Sequence, residues 1–253
     1  MALTFSHLDT VVSTGSTSSS QSNSISPSVG DTLLVTYMVG SGTGMDPYNM
    51  TISSTLSGLS DWRRVGIAQD NGTNSLILVV FWAEIFSTPG SGTITCGGQT
   101  SSRRVLHVDK VAGAKTLYPV VNTATTSGTA LAYSSDPNLS LTGMTNDGTG
   151  TFGAAGFRDA GGSTSDSITN RTSGGAAGPY TTLSNDRPLA TGTAVHRTWT
   201  GYQTTDDTSL YSFMESDGAG TVDTACSVLL AINDQTVGGG GGGGSALAYG
   251  FAG

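Results

Sequence analysis

Charged side chains are scarce in this chain, and helix-forming ones are scarcer still. Charged residues make up 11% of the 253 residues, and only two Lys and two Glu are present. Because Lys and Glu are good helix formers, whereas Asp, Gly, Ser and Thr favour turns and strands, this composition argues against a helical protein. The net charge of −8 disfavours a surface that grips phosphate backbones, so direct nucleic-acid binding is not expected.

Cysteines and catalytic motifs are also few. Cys96 and Cys226 form no metal-ligand spacing and no CxxC pair, so the prediction is two buried free thiols, with a disulfide as the alternative. The chain has no G-x-S-x-G elbow, H-E-x-x-H pair, Walker loop or Rossmann fingerprint. We therefore expect a protein that is not an enzyme and that uses no catalytic residue, cofactor or metal.

Long apolar runs are absent as well. Met1–His7 has no basic region and no extended apolar segment, so a signal peptide is not expected. The longest nearly unbroken apolar run is Ser75–Phe86, which is too short to cross a bilayer as a helix. It is rich in β-branched and aromatic residues and follows Asn71–Gly72, a pair typical of a type I′ hairpin. The run therefore predicts a strand that is buried on both faces.

Further strand patterns surround this run. Thr32–Val39 reads as a second buried strand, and Arg103–Val111 alternates in a way that places Leu106 and Val108 opposite Val105, His107 and Asp109. The Ser/Thr run Ser13–Ser24 is ambiguous, because linkers and short edge strands share this composition.

The pattern of strands starts again near residue 117. Ala194–Thr200 takes the place of the central run, with Trp199 at the place of Trp82. We therefore predict an all-β fold made of two related, jelly-roll-like β-sandwich units, residues 1–116 and a loop-rich 117–236. Residues 237–253 form a third segment, in which seven glycines, 238–244, precede a short apolar end. A flexible tether and an arm that docks on a neighbouring subunit both fit this glycine-rich tail.

Few residues are candidates for chemistry or contact. His7 with Asp9, and His107 with Asp109, are spaced for one face of a strand, and ordinary solvated pairs are the expectation. Asp clusters in the turns are expected to bond their own backbone, with Ca²⁺ binding as the alternative. The following residues are candidates for ligand or partner contact, with core packing as the alternative for the first two: Trp199, Tyr202, Leu247, Tyr249 and Phe251.

The order of elements resembles β-sandwich modules of tailed-bacteriophage structural proteins. The resemblance rests on Val-Gly-Asp-Thr-Leu-Leu-Val (29–35), Trp62 after a Gly/Ser turn, the run at 75–82, the turn Pro-Gly-Ser-Gly-Thr (89–93) and Arg-Val-Leu-His-Val (104–108). It covers about the first 115 residues well and the second unit loosely. The resemblance implies a non-enzymatic virion component, often trimeric, that is exposed on a tail, fibre or capsid.

These observations lead to one expectation with two alternatives. The expectation is a virion structural protein, made in the host cytoplasm, that acts at a tail tip or fibre. It would be a homo-oligomer that contacts other virion proteins and a host surface glycan or protein. The first alternative is a capsid decoration protein, and the more distant one is a glycan-binding module or depolymerase.

Overall fold

The computed structural model describes residues 2–13, 17–40, 46–70, 76–101, 103–115, 119–132, 139–141, 149–159, 167–171, 180–186, 195–205, 210–215 and 221–234. Almost all of the regular structure in these residues is strand. Their only helical element is a 3₁₀ turn at Pro47–Asn49, whose N-cap is Asp46.

The residues that the structure describes contain sixteen strands. The first eight are β1 Thr4–Ser13, β2 Thr17–Gln21, β3 Thr32–Gly40, β4 Thr51–Ser54, β5 Arg63–Asp70, β6 Leu76–Glu84, β7 Ile94–Ser101 and β8 Arg103–Ala112. The second eight are β9 Val120–Ala132, β10 Leu139–Leu141, β11 Gly150–Asp159, β12 Ser167–Arg171, β13 Thr181–Asp186, β14 Val195–Gln203, β15 Leu210–Glu215 and β16 Thr221–Ile232.

The second eight strands repeat the topology of the first eight. The first large sheet has the order β1-β8-β3-β6-β5, and the second large sheet has the order β9-β16-β11-β14-β13. The small sheets, β2-β7-β4 and β10-β15-β12, repeat in the same way. All named pairings are antiparallel. The predicted all-β sandwich class is therefore confirmed. Within the described ranges, each unit has eight strands in two sheets, the strand number of a jelly roll.

The first large sheet is buried on both of its faces. One face of β6 presents Leu76, Leu78, Val80 and Trp82 to a core shared with the second large sheet. The alternate residues of β6, with Leu33 and Val35 among others, fill a core against the first small sheet. The predicted strand within Ser75–Phe86 is thus confirmed as β6, and Trp82 is only 4% exposed. The hairpin predicted at Asn71–Gly72 lies outside the described residues.

The two units pack through their large sheets with a two-fold relation. β1 packs on β13, β5 on β9 and β16, β6 on β11 and β16, β3 on β11 and β14, and β8 on β13 and β14. Exchanging each strand with its counterpart in the other unit reproduces the same set of contacts. Such self-complementary packing is the arrangement of an isologous dimer, here made by one chain. The unit boundary at residue 116 stays a prediction, and the units meet in one hydrophobic core.

Close approach of the large sheets depends on a glycine in β5. A β-carbon at position 66 would overlap Cγ1 of Val228, which belongs to β16 in the second unit. Val228 is fully buried in the shared core. Only glycine therefore allows β5 to lie this close to β16 without displacing the valine.

Two other sequence questions are answered by the fold. The Ser/Thr run contains β2, an edge strand of the first small sheet, so the strand interpretation holds for residues 17–21. Cys96 and Cys226 are both buried and are not joined in a disulfide, as predicted. Burial alone raises the pKa of Cys96 above its ordinary range, which keeps this thiol protonated and poorly reactive.

Candidate functional site

A group of polar side chains lies where the edge strands of the two large sheets meet. β1 and β8 supply two residues each, and β13 supplies two from the second unit. We call this group the inter-unit cluster, and its members are His7, Thr10, His107, Asp109, Ser184 and Asp186. Its hydrogen bonds cross from the first unit to the second, so it closes one edge of the shared core.

A bulge in β1 brings the two residues of that strand onto one face. His7 pairs in register with Asp109, and after a register shift between His7 and Asp9, Thr10 pairs with His107. Without the bulge, residues three apart on a strand would face opposite sides. Asp9 points elsewhere, because its carboxylate accepts hydrogen bonds from the backbone N–H and the side-chain amide of Asn23 at 2.7 and 3.1 Å. The expected His7–Asp9 pair is therefore wrong, and the partner of His7 is Asp109.

His7 connects a buried carboxylate to the centre of the cluster. Its Nδ1 lies 2.7 Å from Oδ1 of Asp109, and its Nε2 lies 2.9 Å from Oγ1 of Thr10. The side chain of Asp109 is fully buried, whereas that of His7 is 27% exposed. Burial by itself lowers the pKa of His7, but the hydrogen bond to Asp109 and the charges of nearby Asp residues outweigh burial and raise this pKa above its ordinary value.

Thr10 is the centre of the cluster. Its Oγ1 lies 2.9 Å from His7 Nε2, 3.1 Å from His107 Nδ1, 3.1 Å from Ser184 Oγ and 3.0 Å from Asp186 Oδ2. The hydroxyl donates its one hydrogen to the carboxylate of Asp186. A threonine hydroxyl has two further lone pairs, which the two imidazole nitrogens can fill as donors.

This geometry assigns different protonation states to the two histidines. His7 has to donate from Nδ1 to a carboxylate and from Nε2 to Thr10, so it carries both protons and a positive charge. His107 donates from Nδ1, while its Nε2 is buried and has no hydrogen-bond partner in the described part of the chain. The geometry therefore assigns His107 the neutral tautomer with its proton on Nδ1.

The surroundings of His107 agree with a neutral ring. His107 and Asp109 are both fully buried, so the expectation of ordinary solvated side chains is wrong for this pair. Burial lowers the pKa of His107 to about 4, and the neighbouring charges of Asp109 and Asp186 only partly offset this effect. His107 Nδ1 lies 3.5 Å from Asp186 Oδ2.

The order Thr10, His7, Asp109 matches the hydroxyl, base and carboxylate of a nucleophilic triad. Thr10 Oγ1 differs from a nucleophile in its surroundings, because four polar atoms from four residues lie within hydrogen-bond distance of it. Its hydrogen and lone pairs are used within the cluster. Ser184 donates its hydrogen to Asp186 through a short contact. This arrangement is suited to holding two sheets together.

A second buried histidine lies between the units, away from the cluster. His196 of β14 is 1% exposed, and neither ring nitrogen has a hydrogen-bond partner among the described residues. Its ring packs on Gly40 of β3, where a β-carbon would overlap it. Burial, with the charges of Arg103 and Arg158, lowers the pKa of His196 to about 3. His196 is therefore neutral at pH 7.

The two aromatic residues proposed for ligand contact, Trp199 and Tyr202, lie in different surroundings. Trp199 is 1% exposed, its Nε1 donates to Oγ1 of Thr182 at 3.0 Å, and Tyr180 meets its ring edge-on. This burial favours the core-packing alternative for Trp199. Tyr202 is half-buried and stacks on Phe5 of the first unit, with ring centroids 4.6 Å apart. Tyr202 thus contacts the first unit, and contact with an outside partner stays a prediction.

The proposed equivalence of Trp82 and Trp199 is wrong. Trp82 faces the shared core between the large sheets. Trp199 lies three residues from Tyr202, which stacks across the same core, so the two side chains are on opposite faces of β14. Strand pairing instead places Tyr202 opposite Phe152 of β11, as Trp82 is opposite Leu34 of β3.

The other three contact candidates, Leu247, Tyr249 and Phe251, lie outside the described residues. At the edge opposite the inter-unit cluster, β5 and β9 leave an open groove of about 340 Å³. Arg64, Gly66, Thr123 and Thr125 are among the residues that line it. Arg64 is held in place by its own contacts, since its guanidinium donates to the carbonyl oxygen of Met50 at 2.7 Å.

Sequence reasoning did not find the inter-unit cluster. His7, His107 and Asp109 were noted, but Thr10, Ser184 and Asp186 were not. The signal that was available is a pair of histidines inside strands whose alternation points them towards the core. The β1 bulge and the pairing of the units, which bring Ser184 and Asp186 to Thr10, leave no local pattern in the sequence.

Comparisons with known proteins add no assignment to this geometry. Within the described part of the chain, no group of three or more His, Cys, Asp or Glu side chains is placed to hold a metal ion. In the same part, no helix is both long and apolar enough for a membrane crossing. A scan of protein-family models finds none that matches the chain. A search of curated proteins likewise finds no match.

Proposed function

We propose that this chain is a non-enzymatic structural protein of a bacteriophage virion, exposed on the particle surface as a tail-tip or fibre component. The observation that carries the proposal is the duplicated β-sandwich, in which two large sheets share one core. Polar side chains contribute to its packing: the half-buried Thr10 connects the units, and the buried Trp199 donates to Thr182. Such a molecule acts through shape and contact.

The surface composition supports this proposal. The chain has a net charge of −8 with few charged residues, and turns rich in Ser, Thr and Gly join its strands. Low charge at the centre of a contact favours association between subunits. In the described residues, three large apolar side chains are exposed: Val29 at 57%, Tyr48 at 76% and Phe86 at 64%.

Two of these residues lie at the same end of the first unit. The N–H of Gly30, next to Val29, donates to the carbonyl of Ile85, next to Phe86, at 2.8 Å. We propose that this end contacts a second copy of the chain in a homo-oligomer. Phe86→Ser should reduce self-association, measured by analytical ultracentrifugation, while Tyr48→Ser serves as the matched exposed control. Equal mass distributions for the wild type and Phe86→Ser would remove this contact from the proposal.

The experiment that tests the function is a count of copies per particle. Virions of the phage that encodes the chain are purified and washed, and the amount of the chain is compared with that of the major capsid protein on a quantitative gel. A few copies per particle support the tail-tip or fibre role. Hundreds of copies, with capsids that break more easily when the chain is missing, support the decoration alternative. Absence of the chain from washed particles would refute a virion role.

A glycan depolymerase is the enzymatic alternative. It requires a pair of carboxylates facing each other across a cleft. Incubation of the protein with host polysaccharide, followed by an assay for new reducing ends, separates the two classes of function. Release of reducing ends would overturn the structural proposal.

A further inference from the structure

We propose that the inter-unit cluster is a pH-dependent contact between the two units, which we call the lock. A proton on His7 keeps β1 hydrogen-bonded to β13 at this edge of the shared core, which is the closed edge. A second proton, on His107, separates the two strands, which is the open edge. The lock goes beyond the virion role proposed above and does not depend on it. It follows from the geometry that gives the two histidines different protonation states.

The closing proton is the one on Nε2 of His7, which donates to Thr10 within the first unit. With Nδ1 donating to Asp109 and Nε2 donating to Thr10, His7 fixes the orientation of the threonine hydroxyl. Thr10 can then donate to Asp186 on β13, which is the hydrogen bond that crosses to the second unit. Loss of the Nε2 proton would oblige Thr10 to donate to His7, and the bond to Asp186 would be lost because a carboxylate has no hydrogen to offer.

The second proton on His107 can bind only at Nε2. His107 Nδ1 already carries a hydrogen, so a second proton must attach to Nε2, which is buried and meets no hydrogen-bond partner among the residues that the structure describes. A buried N–H⁺ without an acceptor is costly, and water reaches it only if the edge opens. The charged groups that face His107 are Asp109 on its own strand, His7 on β1 and Asp186 on β13. The two carboxylates attract the proton and His7 repels it.

Burial has a larger effect on the pKa of His107 than these charged groups have. Burial lowers the pKa of His107 to about 4, which is below the ordinary value of about 6.5 that a solvated ring would have in the open edge. Acid therefore favours the open edge between these two pH values. The pKa of His7 is raised, so its contribution is complete below pH 6.5 and is lost as the pH rises through its higher value in the closed edge. The lock should be tightest near pH 6.5 to 7.

The test is amide hydrogen exchange of the full chain, followed by mass spectrometry at pH 7 and pH 5. β6 serves as an internal reference for the pH dependence of the exchange chemistry. His107 alone, with pKa values of about 4 in the closed edge and 6.5 in the open edge, would lower the protection of β1 and β13 relative to β6 by about 20-fold between pH 7 and pH 5. The raised pKa of His7 opposes this change, so the measured fall should be smaller than 20-fold. Unchanged relative protection would overturn the lock.

Two variants identify the proton involved. His107→Asn keeps a donor near the position of Nδ1 but does not titrate, so the loss of protection at pH 5 should disappear. His196→Leu removes the other buried histidine and should leave that loss in place. A response that survives in His107→Asn would contradict the proposal. If that variant does not fold, nuclear magnetic resonance titration of the wild type decides, because ordinary titration of His7 and His107 near pH 6.5 would refute the lock.

Discussion

The contact between Gly66 and Val228 allows a quantitative test of the shared core. Val228→Ala removes two methyl groups from a fully buried side chain. At about 0.8 kcal/mol for each buried methyl group, plus a cavity term, the free energy of unfolding should fall by about 2 kcal/mol. Gly66→Ala adds a β-carbon that overlaps Cγ1 of Val228, and overpacking of this kind costs about 1–3 kcal/mol.

The double variant distinguishes a shared core from two separate cores. In Gly66→Ala/Val228→Ala, the new β-carbon occupies space that the valine has left, so the combined loss should be about 1–2 kcal/mol smaller than the sum of the single losses. Urea unfolding of the four proteins, followed by circular dichroism, gives these free energies. Val35→Ala is the matched control for Val228→Ala, because Val35 lies in the other core of the first large sheet.

The control pair shows how closely the unfolding free energies of two independent changes add. Gly66→Ala combined with Val35→Ala should be additive within about 0.5 kcal/mol. If Gly66→Ala and Val228→Ala are also additive within that margin, β5 and β16 do not touch as described. The two-fold packing of the units would then be wrong.

Three further predictions follow from buried groups and from the tail. Burial lowers the pKa of His196 to about 3, so acid should destabilise the folded protein through this residue. Between pH 7 and pH 4.5, the wild type should lose about 2 kcal/mol more stability than His196→Leu, measured by urea unfolding at both pH values. Equal losses would contradict this prediction. Thr182→Val removes the acceptor of Trp199 Nε1 and should cost about 1–2 kcal/mol, whereas a change below about 0.3 kcal/mol would show that this hydrogen bond adds nothing. Deleting Gly238–Gly253 should leave the β-sheet signal and the melting temperature intact while weakening assembly, and an unchanged oligomer would exclude a docking arm.

The first large sheet could be predicted from its sequence because its strands are defined by local pattern. β3 and β6 are continuous apolar runs, and alternation in β8 correctly separated Leu106 and Val108 from Val105, His107 and Asp109. The second unit could be predicted only in outline. At positions where β6 has Leu78 and Val80, β14 has Thr198 and Thr200, so no apolar run marks the register of β14. The sequence pattern therefore matched Trp82 to Trp199, three residues before Tyr202.

The candidate site could not be predicted from a single sequence. Two of its residues, Ser184 and Asp186, are more than 170 residues away from Thr10 in the chain. They meet it because the two large sheets stack with opposite strand orders. The two-residue spacing of His7 and Asp9 suggested a local pair, but the β1 bulge turned the two side chains to different partners. Tertiary packing therefore decided which acid each histidine meets.

The central claim of this account is that two repeated sandwiches share one core and unfold as one scaffold. Differential scanning calorimetry of the full chain tests it most directly. We predict a single transition whose calorimetric enthalpy equals its van't Hoff enthalpy, as expected for one cooperative unit. Two separated transitions, or a calorimetric enthalpy about twice the van't Hoff value, would show that the units are independent and would contradict the claim.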